Sequence, residues 1–422
     1  MELRPDLLDE WGIYEFTVPK GTYVIETLFK NQDLVSMHPF AKLQPKFPEE
    51  SIFKLWGLQS NRIIRLKASD DGFEKIISRK VNDETADKNS PFSKLEEKLI
   101  CDVFSNLDLK SDSDILRFCN CFGLPTPHLM NPTHTLHIEE RTSQSSSVVD
   151  FGRCVVFVRN VVALTHESQQ SASMCDWVTV LQCILYFLFI ADSKFFPMSN
   201  KADQNTYWID QFRRSFYLYC QEALEETGEV PSNASLIYGF LAETDKFIKR
   251  YKPNTSEPPW KEPWQINPAC KELVSLLCAL VCKDTTIDLK VQDPFGQFTI
   301  EAELWRNKVF SHIDIIPSKI AYQGKLLLCH IMNYHMSHFH NKLIVSAEGH
   351  IVRTVMPRTL LDVMFAELYM VQGSATAIAK CENKTCGRYF TRIKGRKSRI
   401  YCCDQCKNCV ASRNMRKKIK SQ

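Results

Sequence analysis

The last 42 residues hold six of the chain's 17 cysteines: Cys381, Cys386, Cys402, Cys403, Cys406 and Cys409. Cys381 and Cys386 are spaced C-x4-C, and sixteen positions after Cys386 a second group opens in which Cys402 and Cys406 are spaced C-x3-C. Two thiolate pairs joined by a short ribbon suit a tetrahedral, borderline-soft cation, and zinc is the expected metal. The preferred ligands are Cys381, Cys386, Cys402 and Cys406. Cys403–Cys406 and Cys406–Cys409 are both C-x2-C pairs, so Cys403 or Cys409 is an alternative to Cys402. Gly387 relieves crowding just after the second ligand, and Tyr389, Phe390 and Tyr401 offer a small core. The other eleven cysteines fall mostly in apolar helix-like runs (Cys183, Cys220, Cys278, Cys282), where they read as small buried hydrophobes in a reducing compartment.

Charge is concentrated in the same place. From Cys381 onward, thirteen Lys and Arg face only Glu382 and Asp404, a local +11 that leaves the rest of the chain at −7 within a total of +4. Arg392, Arg396, Lys397 and Arg399 lie in the ribbon between the cysteine pairs. Arg413, Arg416 and Lys417 lie in a segment that can form a helix from Asp404, with Arg413, Lys417 and Lys420 along one face. Basic charge on a metal-pinned scaffold is a phosphate-binding footprint, so these seven residues are the candidate contacts to DNA, with RNA as the less favoured alternative. The competing readings are a solvated tail and a docking surface for an acidic protein, a second copy or the chain's own acidic body among them. On those, the finger is purely structural in an interaction or scaffold protein.

Other chemistry is thin. The run CHIMNYHMSHFH puts His335 and His338 at i, i+3, a spacing able to bind metal, but a partly buried helix is the simpler account. No HExxH, Ser-His-Asp, Walker-type or GxGxxG pattern occurs, and 14 glycines are too few for glycine-rich phosphate loops. Glu139-Glu140 and Glu225-Glu226 read as solvated surface. The expectation is therefore not an enzyme.

The elements that must position the cysteines are mostly helical. A 44% hydrophobic, 24% charged composition is that of an ordinary globular protein with a large core. The longest apolar stretch, Trp177–Ala191, is shorter than the ~20 residues a bilayer needs, and the acidic start lacks the look of a signal peptide. A soluble cytoplasmic protein with no membrane contact is expected. Residues 1–90 form an α/β segment with short strands at Gly12–Val18 and Thr22–Leu28. Residues 91–252 form a helical domain, with helix spacing from Ser90-Pro91 and helices at Asp112–Phe122, Val148–His166, Ala172–Phe196, Tyr207–Glu226 and Asn233–Tyr251. Residues 253–268 are a Pro-rich linker containing Trp260 and Trp264. Residues 269–380 form an α+β segment: a helix over Ala269–Lys283, hairpins around Asp293–Gly296 and Glu348-Gly349, and a helix capped by Thr359 with Asp362 three residues on. Residues 381–422 are the finger and its basic helix. The fold class is mostly α with minor β hairpins: a helical body plus a small C-terminal four-cysteine zinc finger.

The terminal segment resembles the bacterial CGNR-type zinc finger, a C-terminal module. The matching positions are Cys381, Cys386, Phe390, the basic run Arg396 to Arg399, Tyr401-Cys402, Cys406-Lys407-Asn408 and Arg413 to Lys418. More weakly, Asp114–Pro125 and Met356–Gly373 resemble the bodies of bacterial proteins that end in such a finger. The resemblance implies a DNA-binding transcriptional regulator. The eponymous Cys-Gly-Asn-Arg reads Cys406-Lys407-Asn408-Cys409 here, so the glycine and arginine are both missing, and any contact made by that arginine is in doubt.

Overall fold

The computed structural model describes residues 14–18, 21–27, 62–68, 75–79, 99–125, 145–171, 174–191, 195, 207–227, 233–250, 268–277, 288–291, 298–301, 315–336, 340–345, 351–356, 359–373, 376–393 and 400–420. Among them helices dominate and every strand pairing is antiparallel. The residues expected as two N-terminal strands supply β1 (Tyr14–Val18) and β2 (Gly21–Thr27), followed by β3 (Arg62–Ala68) and β4 (Lys75–Arg79). β1 pairs with β4, and β2 with β3.

The helical part opens with α1 (Ile100–Ser105) and α2 (Asp112–Phe122). The helix start proposed at Ser90-Pro91 lies outside the described residues. Ser111 Oγ accepts from the Asp114 N–H at 3.3 Å, which satisfies a donor at the start of α2, and Gly123 at φ 87° ends it. β5 (Ser145–Ser147) joins the other side of β3 and runs directly into α3 (Val148–Ser168), whose Asp150 N–H is capped by Ser147 Oγ at 2.9 Å. α3 is the central helix. Val155, Phe157, Val158, Val161 and Val162 are fully buried, and so many apolar positions leave it almost no polar stripe.

The single helix expected over Ala172–Phe196 is instead shorter and broken. The Asp176 carboxylate accepts the Thr179 hydroxyl at 2.8 Å and the Thr179 N–H at 3.4 Å, so the chain turns there and α4 runs only from Trp177 to Leu185. A π-helical turn, Tyr186–Ile190, follows and buries all five of its residues. Buried Arg213 donates to the Ala191 carbonyl at 2.6 Å and caps that turn.

Helices α5 (Tyr207–Thr227), α6 (Asn233–Arg250) and α7 (Pro268–Leu277) lie where helices are expected, and the rest of the helix expected over Ala269–Lys283 lies outside the described residues. Of the proposed linker, all but Pro268 lies outside the described residues, and Glu139-Glu140 does too. β6 (Asp288–Val291) pairs with β7 (Phe298–Glu301). α8 (Ile315–Met336) carries most of the His-rich run. His335 is buried and stacks on Phe365 at 3.7 Å and 11°, as a core ring does, while His338 lies outside the described residues. A Cβ on Gly324 would stand 2.5 Å from Val180 Cγ1, so the glycine lets α8 approach α4 closely.

β8 (His340–Val345) pairs with β9 (Ile351–Met356), as the second hairpin requires. α9 (Leu360–Gly373) starts with a reciprocal box: the Thr359 N–H donates to Asp362 Oδ2 at 2.9 Å, and the Asp362 N–H to Thr359 Oγ1 at 3.2 Å. Leu360, Leu361, Met364, Phe365, Leu368 and Val371 are all buried, but so are Val363, Ala366 and Glu367, so α9 is enclosed beyond the one face expected. Two further strands, β10 (Thr376–Lys380) and β11 (Tyr389–Ile393), precede the last helix, α10 (Asp404–Lys420). Among the described residues, no helix is long and apolar enough to cross a membrane.

Candidate metal centre

β10 and β11 form a hairpin in register from Thr376↔Ile393 to Lys380↔Tyr389, and the first cysteine pair sits in its turn. The Cys381 N–H donates to the Arg388 carbonyl at 2.9 Å, and the Cys386 N–H to the Asn383 carbonyl at 2.8 Å. These bonds curl residues 381–388 into a knuckle with both sulfurs on its inner side. Gly387 closes it at φ 65°, a conformation that costs an L side chain about 1–2 kcal/mol. A Cβ there would meet nothing within 4 Å, so the demand is purely one of backbone. Gly387→Ala is therefore expected to weaken metal affinity about tenfold, measured by competition with a chromophoric chelator, without changing stoichiometry.

Of the second pair, Cys402 lies in the bend just before α10 and Cys406 on the first turn of that helix. The sulfurs of Cys381, Cys386, Cys402 and Cys406 all lie within 4.8 Å of one another. Cys402 Sγ is 3.6 Å from both Cys386 Sγ and Cys406 Sγ. Four ligands at Zn–S of about 2.3 Å stand about 3.8 Å apart at tetrahedral corners, so the donor set fits such an ion. Among the described residues no other metal-ligating cluster of this kind occurs. Cys403 Sγ lies 3.8 Å from Cys402 Sγ but outside the set of four, and Cys409 is exposed on α10.

Burial and mutual contact shift three of the four thiols, in opposite directions. Burial, reinforced by the neighbouring Cys386 and Cys406 sulfurs, holds the Cys402 thiol well above its ordinary range. Burial, opposed by Asn383 and reinforced by the Cys386 sulfur, pushes Cys406 up to about 11. At Cys381 burial also pushes upward, but hydrogen bonds from the Cys402 and Asn383 backbone outweigh it and leave that thiol below its usual value. The Cys402 N–H to Cys381 Sγ bond, at 3.5 Å, is one of these. Metal binding must displace the thiol protons, so affinity falls on acidification.

The ribbon is fastened to the body at several points. The carboxylate of buried Asp102 on α1 accepts the Thr391 N–H at 2.8 Å and the Thr391 hydroxyl at 2.5 Å. Asn106 donates to the Tyr389 carbonyl at 2.7 Å. His166 Nδ1 donates to the Ile378 carbonyl at 2.8 Å, and Gln169 Oε1 accepts the Ile378 N–H at 3.3 Å. Lys380 pairs with Asp176 at 3.4 Å. Burial raises the Asp176 carboxyl, but the Thr179 hydroxyl and the Lys380 ammonium more than offset this and leave it below the ordinary value. Ile378 and Tyr389 belong to the main core, whereas Ala379, Cys381, Phe390 and Cys402 form a small core of their own.

Comparison with family models, curated proteins and solved structures returns no match. The likeness to a CGNR-type finger therefore rests on the cysteine cluster and the residues around it.

The candidate basic contacts divide. Arg396, Lys397 and Arg399 lie outside the described residues, and of Arg392 only its place on β11 is described. Arg413, Arg416 and Lys417 are exposed on α10. Arg413 reaches back to the knuckle, donating to Thr385 Oγ1 at 3.3 Å and Asn383 Oδ1 at 3.5 Å, and so fixes the direction in which α10 leaves the metal site. Sequence reading misses both this brace and the whole docking surface. The one signal for Asp102 is an acid inside the apolar run ICDVF.

Proposed function

We propose that this chain is a zinc-dependent nucleic-acid-binding protein, a DNA-binding transcriptional regulator whose helical body senses a ligand or mediates assembly. The observation that carries the reading is α10. It is basic, anchored at one end by the metal knuckle and braced by Arg413, and it is exposed at every described residue from Ala411 to Ile419. Thiolates at this spacing favour zinc over harder ions. The docking of β10 and β11 on α1 and α3 supplies the route from body to finger, since a shift of either helix re-aims α10. The resemblance to CGNR-type fingers points the same way.

The test is a salt titration of binding to duplex DNA, with zinc content measured in parallel. Neutralising about five phosphates gives a slope of log K against log salt near −4.5. Arg416→Ala is expected to reduce that slope by about one while leaving zinc content unchanged. The full chain is the proper reference, because cutting before Cys381 would remove β11, which Asp102 and Asn106 hold. One zinc per chain with no salt-dependent binding to any nucleic acid would reject the reading and leave a structural finger.

A further inference from the structure

Resting on the nucleic-acid reading above, we infer that α10 is a reading helix that enters the major groove of duplex DNA through the face opposite the metal. Met415 is nine residues beyond Cys406, which puts it about 180° round the helix. With Asn408, Ala411, Ser412 and Ile419 it forms an outward strip that is exposed and, beyond Asp404 at its head, uncharged, with Met415 at 66% and Ile419 at 64%. Arg416 lies along one edge of this strip and Lys407 along the other. Arg413, seven residues from Cys406, is on the metal side and is used as the brace. The helix thus presents short polar and apolar side chains between two basic edges.

That cross-section matches one kind of partner. The B-form major groove is about 12 Å wide and admits a helix about 10–12 Å across. Its floor offers base edges and thymine methyls to side chains such as Asn, Ser, Ala and Met, and its two walls are phosphates for Arg416 and Lys407. The A-form groove of double-stranded RNA is too narrow to be read this way. Single strands call for aromatic stacking platforms, and residues 404–422 contain no aromatic residue. A membrane-surface helix needs a broad apolar face, and the strip has only two large apolar side chains.

The experiment selects the preferred duplex from a random pool with the full, zinc-loaded chain and maps contacts by dimethyl sulfate protection. Protection of guanine N7, which faces the major groove, is expected. Ala411→Glu should lower duplex affinity at least about tenfold at unchanged zinc content. Ser412→Ala and Met415→Ala, which preserve helix-forming tendency, should change the preferred sequence and leave the salt slope alone. Equal or tighter binding to double-stranded RNA or to single strands overturns the groove inference while nucleic-acid binding stands. Unprotected N7 with strip variants that behave as the parent does the same. Absence of binding to every nucleic acid overturns both readings together.

Discussion

Replacing Cys402 with serine is expected to cut bound metal from about one equivalent to below about a tenth, and to destabilise the whole chain. Cys402 is the hub of the cluster: its sulfur is 3.6 Å from two other ligands, and its N–H donates to the sulfur of a third. A serine hydroxyl is a hard, protonated donor that a site of soft thiolates does not replace. The small core around the metal contains one large apolar side chain, Phe390, among Ala379, Cys381 and Cys402. Burying it contributes about 1.5–3 kcal/mol, whereas ordering each backbone residue costs about 1–2 kcal/mol. Metal binding, about 10–16 kcal/mol in isolated fingers, must therefore supply the difference. Because Ile378 and Tyr389 belong to the body's core, the loss spreads inward, and we expect about 3 kcal/mol less stability in denaturant unfolding. Cys409→Ser is the control: its thiol is exposed and outside the four, so metal content should not change. Metal retained at parental level in Cys402→Ser would assign the fourth ligand to Cys403.

The parts of this molecule legible in its sequence are those fixed by neighbours along the chain. The Thr359 cap, the helix over Asp112–Phe122 and the β8–β9 hairpin each depend on residues close along the chain, and local pattern suffices for them. The cysteine spacings belong to the same class, since both knuckles close over short loops. What is not legible depends on distance. The break before α4 arises because Asp176 caps a helix that the apolar periodicity would have extended backward to Ala172. The strand β10 is five residues long, and only its pairing with β11 makes it a strand. Asp102 and Thr391 are 289 positions apart, so neither announces the other. Charge alone singles out the seven basic candidates, and charge does not say that Arg413 turns toward the metal knuckle.

That distinction decides how the finger relates to the rest of the chain. Read from sequence, residues 381–422 are a self-contained unit following a helix. In the structure the hairpin that carries the first two ligands is also a surface of the body, held by side chains from α1, α3 and the start of α4. The Lys380–Asp176 pair is half exposed on both sides and contributes little by itself, about 0–1 kcal/mol. The buried bonds to Thr391 and the Tyr389 carbonyl are the ones whose loss is felt.

Asp102→Ala is accordingly the second substitution with a large expected effect, about 3 kcal/mol of lost stability, and it acts without touching a ligand. The Asp102 carboxylate accepts two hydrogen bonds from Thr391, one of them 2.5 Å from the hydroxyl. Hydrogen bonds to a charged group are worth about 1.5–3 kcal/mol each, and alanine would leave a partly buried N–H and O–H with no acceptor. Asp102→Asn keeps one acceptor oxygen and gives up the charge, so its cost should be about half. Both variants should hold a full equivalent of metal, since the knuckle bonds are internal to residues 381–402. The discriminating readout is amide exchange: in Asp102→Ala the β10–β11 amides should exchange faster while knuckle amides keep their protection. If metal content instead falls along with stability, the ribbon would depend on the body for its fold, and the two small cores would behave as one. If neither changes, Asn106 and His166 would be sufficient to hold the ribbon, and the path from body to α10 would run through β10 and α3.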